Sequence, residues 1–399
     1  MRALPSVLLL VGLVLAVARP GVAGDPPLQG LARTHVGAGQ GVFVRAEDGT
    51  VLAAQAEDRA VHPASVTKVA TTLALLERLG ADYRFETRVL ARGTVHDGTL
   101  TGDLIVESGR DPFLVSEGAF LVLCRLHRLG LRTVDGGLEV HGPLLFDWQP
   151  DPDGRRLART LAGRDGAEAW PAVAAHDATC PPALRDAALA LRDRAVGGQA
   201  APTPLVTHRS APLLRVVKWL NDYSNNVFHL VAPVIGGPAV VETVARSHVP
   251  PALRGEIVID NGAGAGEHNR LSPRVVVALL DALAAWLREH GKSLTDVLPV
   301  SRMDPGTLQE RPVGDPPLAG TIVGKTGTFG SMGASALAGV LRTQKYGTVT
   351  FAILNHGVPV PAARKRQDAF VRALIEAVGA EPWPYERPAA APYLAAEVE

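Results

Sequence analysis

The sequence predicts an α+β protein in which an antiparallel sheet is covered by helices and the covering domain is interrupted by a mainly β insertion. Three observations lead there. Strand-like apolar runs with short turns lie near both ends of the chain, at 42–44, 51–52, 321–323, 336–341 and 348–354. Helical apolar spacing flanks them, at 63–79, 213–220, 273–290 and 364–378. Between about 87 and 202 the pattern changes to short apolar strands such as Asp103-Leu104-Ile105-Val106, broken by many Gly and Pro turns. Runs of strands with helices gathered at both ends of the chain are an α+β arrangement rather than alternating β-α units.

In chain order, Arg2, the apolar run Val7 to Ala18 and the small residues Gly21-Val22-Ala23 read as a signal peptide over 1–23. Twelve apolar residues fall short of the roughly 20 that span a bilayer, so export with cleavage is expected, to the periplasm or cell envelope. Residues 41–54 read as a hairpin turning at Asp48-Gly49. Pro63 and Ser65 then open a helix that Gly80 ends, which puts Ser65 in its first turn. Residues 256–260 read as a further strand. The helix over 364–378 places Phe370, Val371, Leu374, Ile375 and Val378 on one face. The expected organisation is a discontinuous main domain, 24–86 and 203–380, an inserted domain, 87–202, and a loose Pro- and Ala-rich tail, 381–399.

Composition narrows the function classes. Forty basic residues balance forty acidic ones among 399, so overall charge asks for neither nucleic acid nor an anionic membrane as partner. At most peripheral membrane contact is expected, and the oligomeric state is not legible. Cys124 and Cys180 are the only thiols and are free to pair or not in an oxidising compartment. Only six of the forty basic residues are Lys, so Arg is the ordinary cation of this chain and each Lys invites a chemical question.

Three short motifs answer it. In Pro63-Ala64-Ser65-Val66-Thr67-Lys68, residues three apart on a helix share a face, so the Lys68 amine reaches the Ser65 hydroxyl. A serine attacks only when a neighbouring base takes its proton. Lys qualifies when neutral; half-neutrality at pH 7 requires an environment worth about 4.6 kcal/mol, which burial and a second cation supply. Arg does not deprotonate and cannot substitute. Ser224-Asn225-Asn226 follows the helix at 213–220; Ser224 is a candidate proton relay and Asn226 a candidate partner for the substrate's peptide group. Lys325-Thr326-Gly327-Thr328 follows an apolar strand, where Lys325 and the Thr hydroxyls suit a substrate carboxylate and Gly327 permits close approach. The backbone N–H groups of Ser65 and Thr328 are candidates for an oxyanion hole. Each motif alone is also what an ordinary helix start, polar turn or hairpin looks like. Each occurs once, in this order, and the conjunction carries the argument.

On these motifs the chain resembles the class C low-molecular-mass penicillin-binding proteins, the D-alanyl-D-alanine carboxypeptidases/endopeptidases. The likeness extends to His62-Pro63, Leu79-Gly80-Ala81-Asp82, Leu100-Thr101-Gly102-Asp103-Leu104, Gly306-Thr307-Leu308 and Leu354-Asn355-His356. It implies a penicillin-binding/β-lactamase-like transpeptidase domain, peptidoglycan stem peptides as substrate, β-lactams as covalent inhibitors, and no cofactor. It also implies that Ser65 is acylated, that Lys68 is its base, that Ser224 and Asn226 assist, and that Lys325, Thr326 and Thr328 hold the substrate terminus.

The 155 residues between Lys68 and Ser224 agree with an insertion, although a short one for such a family. A departure is the loop 260–269, Asp-Asn-Gly-Ala-Gly-Ala-Gly-Glu-His-Asn, where relatives carry Gly-Ser-Gly-Leu-Ser-Arg. Two rivals stay open: a non-catalytic peptidoglycan-binding protein of the same fold, and a β-lactamase, for which no Glu-x-x-Leu-Asn segment is present. Asp147, Asp151 and Asp153 lack the rest of a calcium loop, and the histidines lack a zinc-type pair. Gly262 to Gly266 lacks the last glycine of a dinucleotide loop.

Overall fold

A computed structural model describes residues 28–192, 194–314, 318–388 and 391–399; the expected signal peptide lies outside them. The first sheet is antiparallel throughout and runs Ile322–Phe329, Ala334–Thr343, Gly347–Asn355, Gly41–Arg45, Val51–Gln55. The hairpin near the N-terminus thus docks onto a strand more than three hundred residues later, Gly41 opposite Leu354 and Val44 opposite Phe351. Its turn forms as the sequence predicts, with Gly49 at φ 90° and the Asp48 carboxylate accepting the Thr50 N–H at 2.8 Å.

Because side chains alternate along a strand, one sheet serves two cores. Ala336, Ala338 and Val340 face a layer containing helices Lys68–Leu79 and Pro273–Glu289. Leu337 and Leu341 face the opposite layer, with Phe370, Val371 and Leu374 of helix Val360–Val378. Helix Lys68–Leu79 is buried along nearly all of its length, which its Ala, Leu and Thr content permits. Gly80 ends it at φ 86°, donating its N–H to Leu76 O at 2.8 Å. Helix Pro273–Glu289 starts with Pro in the first turn and with Ser272 Oγ accepting the Val275 N–H at 3.2 Å, a cap worth about 1 kcal/mol.

The second sheet is built mainly from the interrupting segment. Strands Glu86–His96 and Thr99–Ser108 are its long members, flanked by Thr203–Arg209 on one side and Thr133–Val134 and Leu138–His141 on the other. Helix Ser116–Arg128 packs Phe120, Leu123 and Cys124 against it. Cys124 and Cys180 are disulfide-bonded, with Cα atoms 5.1 Å apart. Of the aspartates that hinted at a cation loop, Asp147 accepts the Ser116 N–H and Asp151 those of Arg156 and Leu157, both at helix starts, while Asp153 pairs with Arg155 at 3.4 Å.

Two expectations are corrected. Residues 256–260 form no strand: a 3₁₀ turn runs over Pro251–Glu256 and only Val258 makes a bridge, to Arg270. Beyond that bridge side chains replace the ladder: the Asp260 carboxylate accepts the His268 N–H, and the Asp260 N–H goes to Asn269 Oδ1. The C-terminal segment is not loose. Ala380–Glu381 pairs with the first sheet, Trp383 N–H bonds Gly320 O at 2.8 Å, and Glu397–Val398 pairs with Thr203–Arg209 in the second sheet. Trp383, Tyr385 and Tyr393 pack against the main core, and burial of three aromatics outweighs the segment's Pro-rich flexibility. Among the described residues no single helix is long and apolar enough to cross a membrane.

Candidate active site

Ser65 sits in a 3₁₀ turn, Ala64–Thr67, which leads directly into helix Lys68–Leu79. Ala64 holds φ 49°, an uncommon conformation for a residue with a side chain. Its surroundings fix it: Thr67 Oγ1 donates to Ala64 O at 2.9 Å, and the Ala64 N–H bonds His62 Nδ1 at 3.1 Å. His62 Nε2 lies 2.8 Å from Gly266 O, so the proton belongs on Nε2, and its ring stacks on Phe329 at 4.5 Å.

Lys68 is fully buried, and its Nζ has three partners: Ser65 Oγ at 2.7 Å, Asn226 Oδ1 at 3.2 Å and Ala263 O at 2.6 Å. Burial, and then the charge of Lys325, push its pKa well below the usual lysine value. The partner set suits a neutral amine, which donates twice and accepts once. In that neutral form its two N–H bonds would go to Asn226 and Ala263, leaving its lone pair for the serine hydroxyl.

Helix Leu213–Asp222 delivers the second motif. Ser224 stands at φ 53°, its N–H on Asn221 O at 3.1 Å, and the left-handed turn redirects the chain so that Ser224 and Asn226 both face the cavity. Thr307 N–H braces the turn on Asp222 O at 3.0 Å. Only glycine fits at 306, where φ is 90° and a Cβ would stand 2.2 Å from that same carbonyl.

Strand Ile322–Phe329 is the sheet's edge and supplies the third motif, Lys325 opposite Ala338 and Thr328 opposite Ser335. Its free side lies against the serine turn. A Cβ on Gly327 would meet Pro63 O at 2.7 Å and Ser65 N at 3.1 Å, so glycine lets strand and turn touch. Lys325 is fully buried, with its Nζ donating to Thr326 O at 3.0 Å, and burial pushes it down to about 7 against the attraction of Asp222. It lies behind the cavity wall, where the sequence reading had it meeting the substrate carboxylate.

The cavity encloses about 390 Å³, with Ser65, Ser224 and Asn226 on one side and Thr326, Gly327 and Thr328 on the other. A larger one, about 610 Å³, lies beyond helix Leu213–Asp222 against Tyr385 and holds none of the motif side chains. There Lys218 is paired with Asp222 at 3.2 Å and with Asp304, which also accepts the Tyr385 hydroxyl. Burial in this cluster raises Asp222 to about 7, in spite of Lys218.

Sequence reasoning missed what loop 260–269 does. Ala263 O holds Lys68, Gly262 O accepts from Thr71 Oγ1 at 2.6 Å, and Gly266 O accepts from His62. Asn269 Oδ1 accepts the N–H groups of Asp260 and Asn261, while Asn261 Oδ1 accepts those of Ala263 and Ala265. Carbonyl roles leave no side-chain signature. Gly264 does leave one: at φ 71° its Cβ would stand 1.9 Å from Ala64 O. Arg311, Arg364 and Thr307, which also line the cavity, were not assigned roles from sequence.

Against known proteins, residues 30–149 and 191–377 match the model of the D-Ala-D-Ala carboxypeptidase 3 (S13) family. The chain is 27% identical over 380 residues to carboxypeptidase DacB of Mycolicibacterium smegmatis, covering 86% of this chain and 82% of that one. A predatory endopeptidase of Bdellovibrio bacteriovorus, acylated by penicillin G and in complex with an immunity protein, superimposes with TM-score 0.73 at 22% identity, over 88% of this chain and 96% of its own. Penicillin binding protein 4 (dacB) of Haemophilus influenzae, complexed with a β-lactam, does so with TM-score 0.64 at 18% identity, over 88% and 99%. These two structural likenesses establish a penicillin-binding-protein fold.

Proposed function

The chain belongs to the D-Ala-D-Ala carboxypeptidase 3 (S13) family of serine hydrolases, and from that premise we propose that it removes D-alanine from, and cleaves D-alanyl cross-links in, peptidoglycan stem peptides through a Ser65 acyl-enzyme. The observation that carries this reading is the buried Lys68 amine, 2.7 Å from Ser65 Oγ and pushed toward neutrality, at the edge of a cavity walled by Thr326, Gly327 and Thr328.

Lys68 takes the Ser65 proton as Oγ attacks the D-alanyl carbonyl. The Ser65 and Thr328 N–H groups hold the oxyanion, which the approach of Gly327 to Ser65 N favours. The C–N bond then breaks, and Ser224 passes the proton from Lys68 to the leaving amine. Asn226 orients Lys68 through its Oδ1 and offers its amide N–H to the substrate's peptide group. Water attacks the ester with Lys68 again as base, releasing the shortened peptide and Ser65. Lys325, buried beneath the site, contributes positive charge at pH below its lowered value of about 7. No cofactor enters this cycle.

The reading includes a discontinuous catalytic domain, 24–86 and 203–380, an inserted domain, 87–202, and action in the periplasm or cell envelope. A β-lactam would acylate Ser65 in the same way with its leaving group tethered. Incubation with fluorescent penicillin, with the labelled peptide located by mass spectrometry, is expected to give a stable adduct on Ser65 that Ser65→Ala lacks. Release of D-alanine from an N-acylated D-Ala-D-Ala peptide should depend on the same hydroxyl. A folded sample with no adduct and no release would refute the reading.

A further inference from the structure

One imidazole joins the three elements that frame Ser65. His62 follows the bridge between Val61 and Leu271, and it is buried. Its Nδ1 accepts the N–H of Ala64, the residue held at φ 49° immediately before Ser65. Its Nε2 reaches Gly266 O at 2.8 Å and ties down the loop whose Ala263 O holds Lys68. Its face stacks on Phe329, which follows Thr328 in the edge strand. The two nitrogens are committed in opposite senses: Nε2 must carry a proton to meet a carbonyl, and Nδ1 must lack one to meet an N–H. An imidazolium has no lone pair and would turn a second N–H toward that of Ala64. Around the ring, Arg59, Arg270 and His356 line the same small cavity of about 200 Å³, and Asp260 faces it from the loop. Burial, with Arg270 adding to it, holds the imidazole below its ordinary value of 6.5 against the pull of the Gly266 carbonyl and Asp260.

We propose that His62 is a positioning residue for Ser65 acylation, effective only as the neutral Nε2–H tautomer, so that acid loosens the serine turn by a protonation separate from that of Lys68. The inference rests on Ser65 being the acylated group. Ala64 carries a side chain in a left-handed conformation, which persists only while its surroundings hold it. Without the bond to its N–H, a rotation at Ala64 re-aims the next N–H, that of Ser65, which lies against Gly327 as a candidate oxyanion donor. The bond from Thr67 Oγ1 to Ala64 O remains, so the expected result is misalignment of the turn rather than its unfolding. Losing the Gly266 contact as well would loosen the loop that carries Ala263 O to Lys68.

The test follows Ser65 acylation by a penicillin from pH 4 to pH 8, read by intact-protein mass spectrometry on the full chain, in wild type and in His62→Asn. Asn at this position can still accept the N–H two residues on, as Asx turns do, but it does not titrate. Lys68, Asp222 and Lys325 titrate in both proteins, so the ratio of the two rates isolates His62. Wild type should be about 10-fold faster at pH 8, and the advantage should shrink to about 2-fold or less once the imidazole is protonated. His62→Phe keeps a ring against Phe329 and neither hydrogen bond; it should be slower by up to about 100-fold at pH 8, and it supplies the same ratio if His62→Asn does not fold. A ratio that stays constant across the range, with only the melting temperature lowered, would mean a structural role and overturn the proposal. Equal rates at pH 8 in folded variants would overturn it too. Absence of wild-type acylation at every pH would instead overturn the reading of Ser65 itself, and this role with it.

Discussion

Lys68 lies at the start of a helix, three residues after Ser65, and the base role proposed for it depends on burial and on three partners of the right kind. Arg at this position would keep its charge and offer no lone pair, so Lys68→Arg is expected to slow Ser65 acylation by at least about 100-fold, measured with fluorescent penicillin. Retained labelling would remove Lys68 as the base. The direction of its pKa fixes the sign of the pH response: acid protonates the amine and blocks it, so acylation rises with pH and levels off well below the usual lysine value near 10.5. A rate still climbing through pH 10 would mean an unperturbed lysine. Ser65 and Lys68 were legible because their spacing is local. Ala263 was not, since any residue offers a carbonyl and only the fold brings this one within 2.6 Å of the amine.

At the scale of elements, the serine turn is clamped between the edge strand Ile322–Phe329 and loop 260–269, and glycine makes both contacts possible. Gly327→Ala should separate strand from turn, withdraw the Thr328 N–H, and lower acylation by about 10²- to 10³-fold, the usual cost of an oxyanion donor. Near-wild-type acylation in a folded Gly327→Ala would count against Thr328 as a donor. Helix Leu213–Asp222 makes a separate prediction through Asp222. Its carboxyl keeps a proton up to about pH 7 when folded, against an ordinary value of 3.8 for an aspartate, so the folded state holds the extra proton between those values. Stability from this group is therefore lost as pH rises from about 4 to about 7 and is level above. Asp222→Asn should gain stability relative to wild type between pH 5 and pH 8 in thermal melts. A difference that does not vary with pH would show that Asp222 titrates normally.

Over the whole molecule, three crossings join the second sheet to the rest, the first where helix Lys68–Leu79 leads into strand Glu86–His96. The chain crosses between them where Thr203–Arg209 returns toward helix Leu213–Asp222, and the C-terminal segment crosses again, from Ala380–Glu381 in one sheet to Glu397–Val398 in the other. Arg84 and Arg209 add ion pairs to Glu397 and Glu399. Deleting residues 382–399 is expected to lower the melting temperature and increase protease cleavage near residues 190–209; an unchanged melt would mean that the strap contributes nothing. The Cys124–Cys180 bond acts further away. Replacing both with Ala should cost about 2–4 kcal/mol in chemical denaturation and leave Ser65 acylation untouched, since the bond lies in the core of the second sheet and its helices.

By itself the sequence determined the α+β class and the order of the three motifs, because both rest on local periodicity or on residue types a few positions apart. It also held an unread signal in the tail, where three of the chain's ten Trp and Tyr residues cluster at Trp383, Tyr385 and Tyr393. Tertiary structure alone decided that this segment packs, that residues 256–260 do not form a strand, that Lys325 is buried, and that His62 ties the serine turn to loop 260–269. These outcomes depend on burial and on contacts across tens to hundreds of residues, which composition and spacing do not encode.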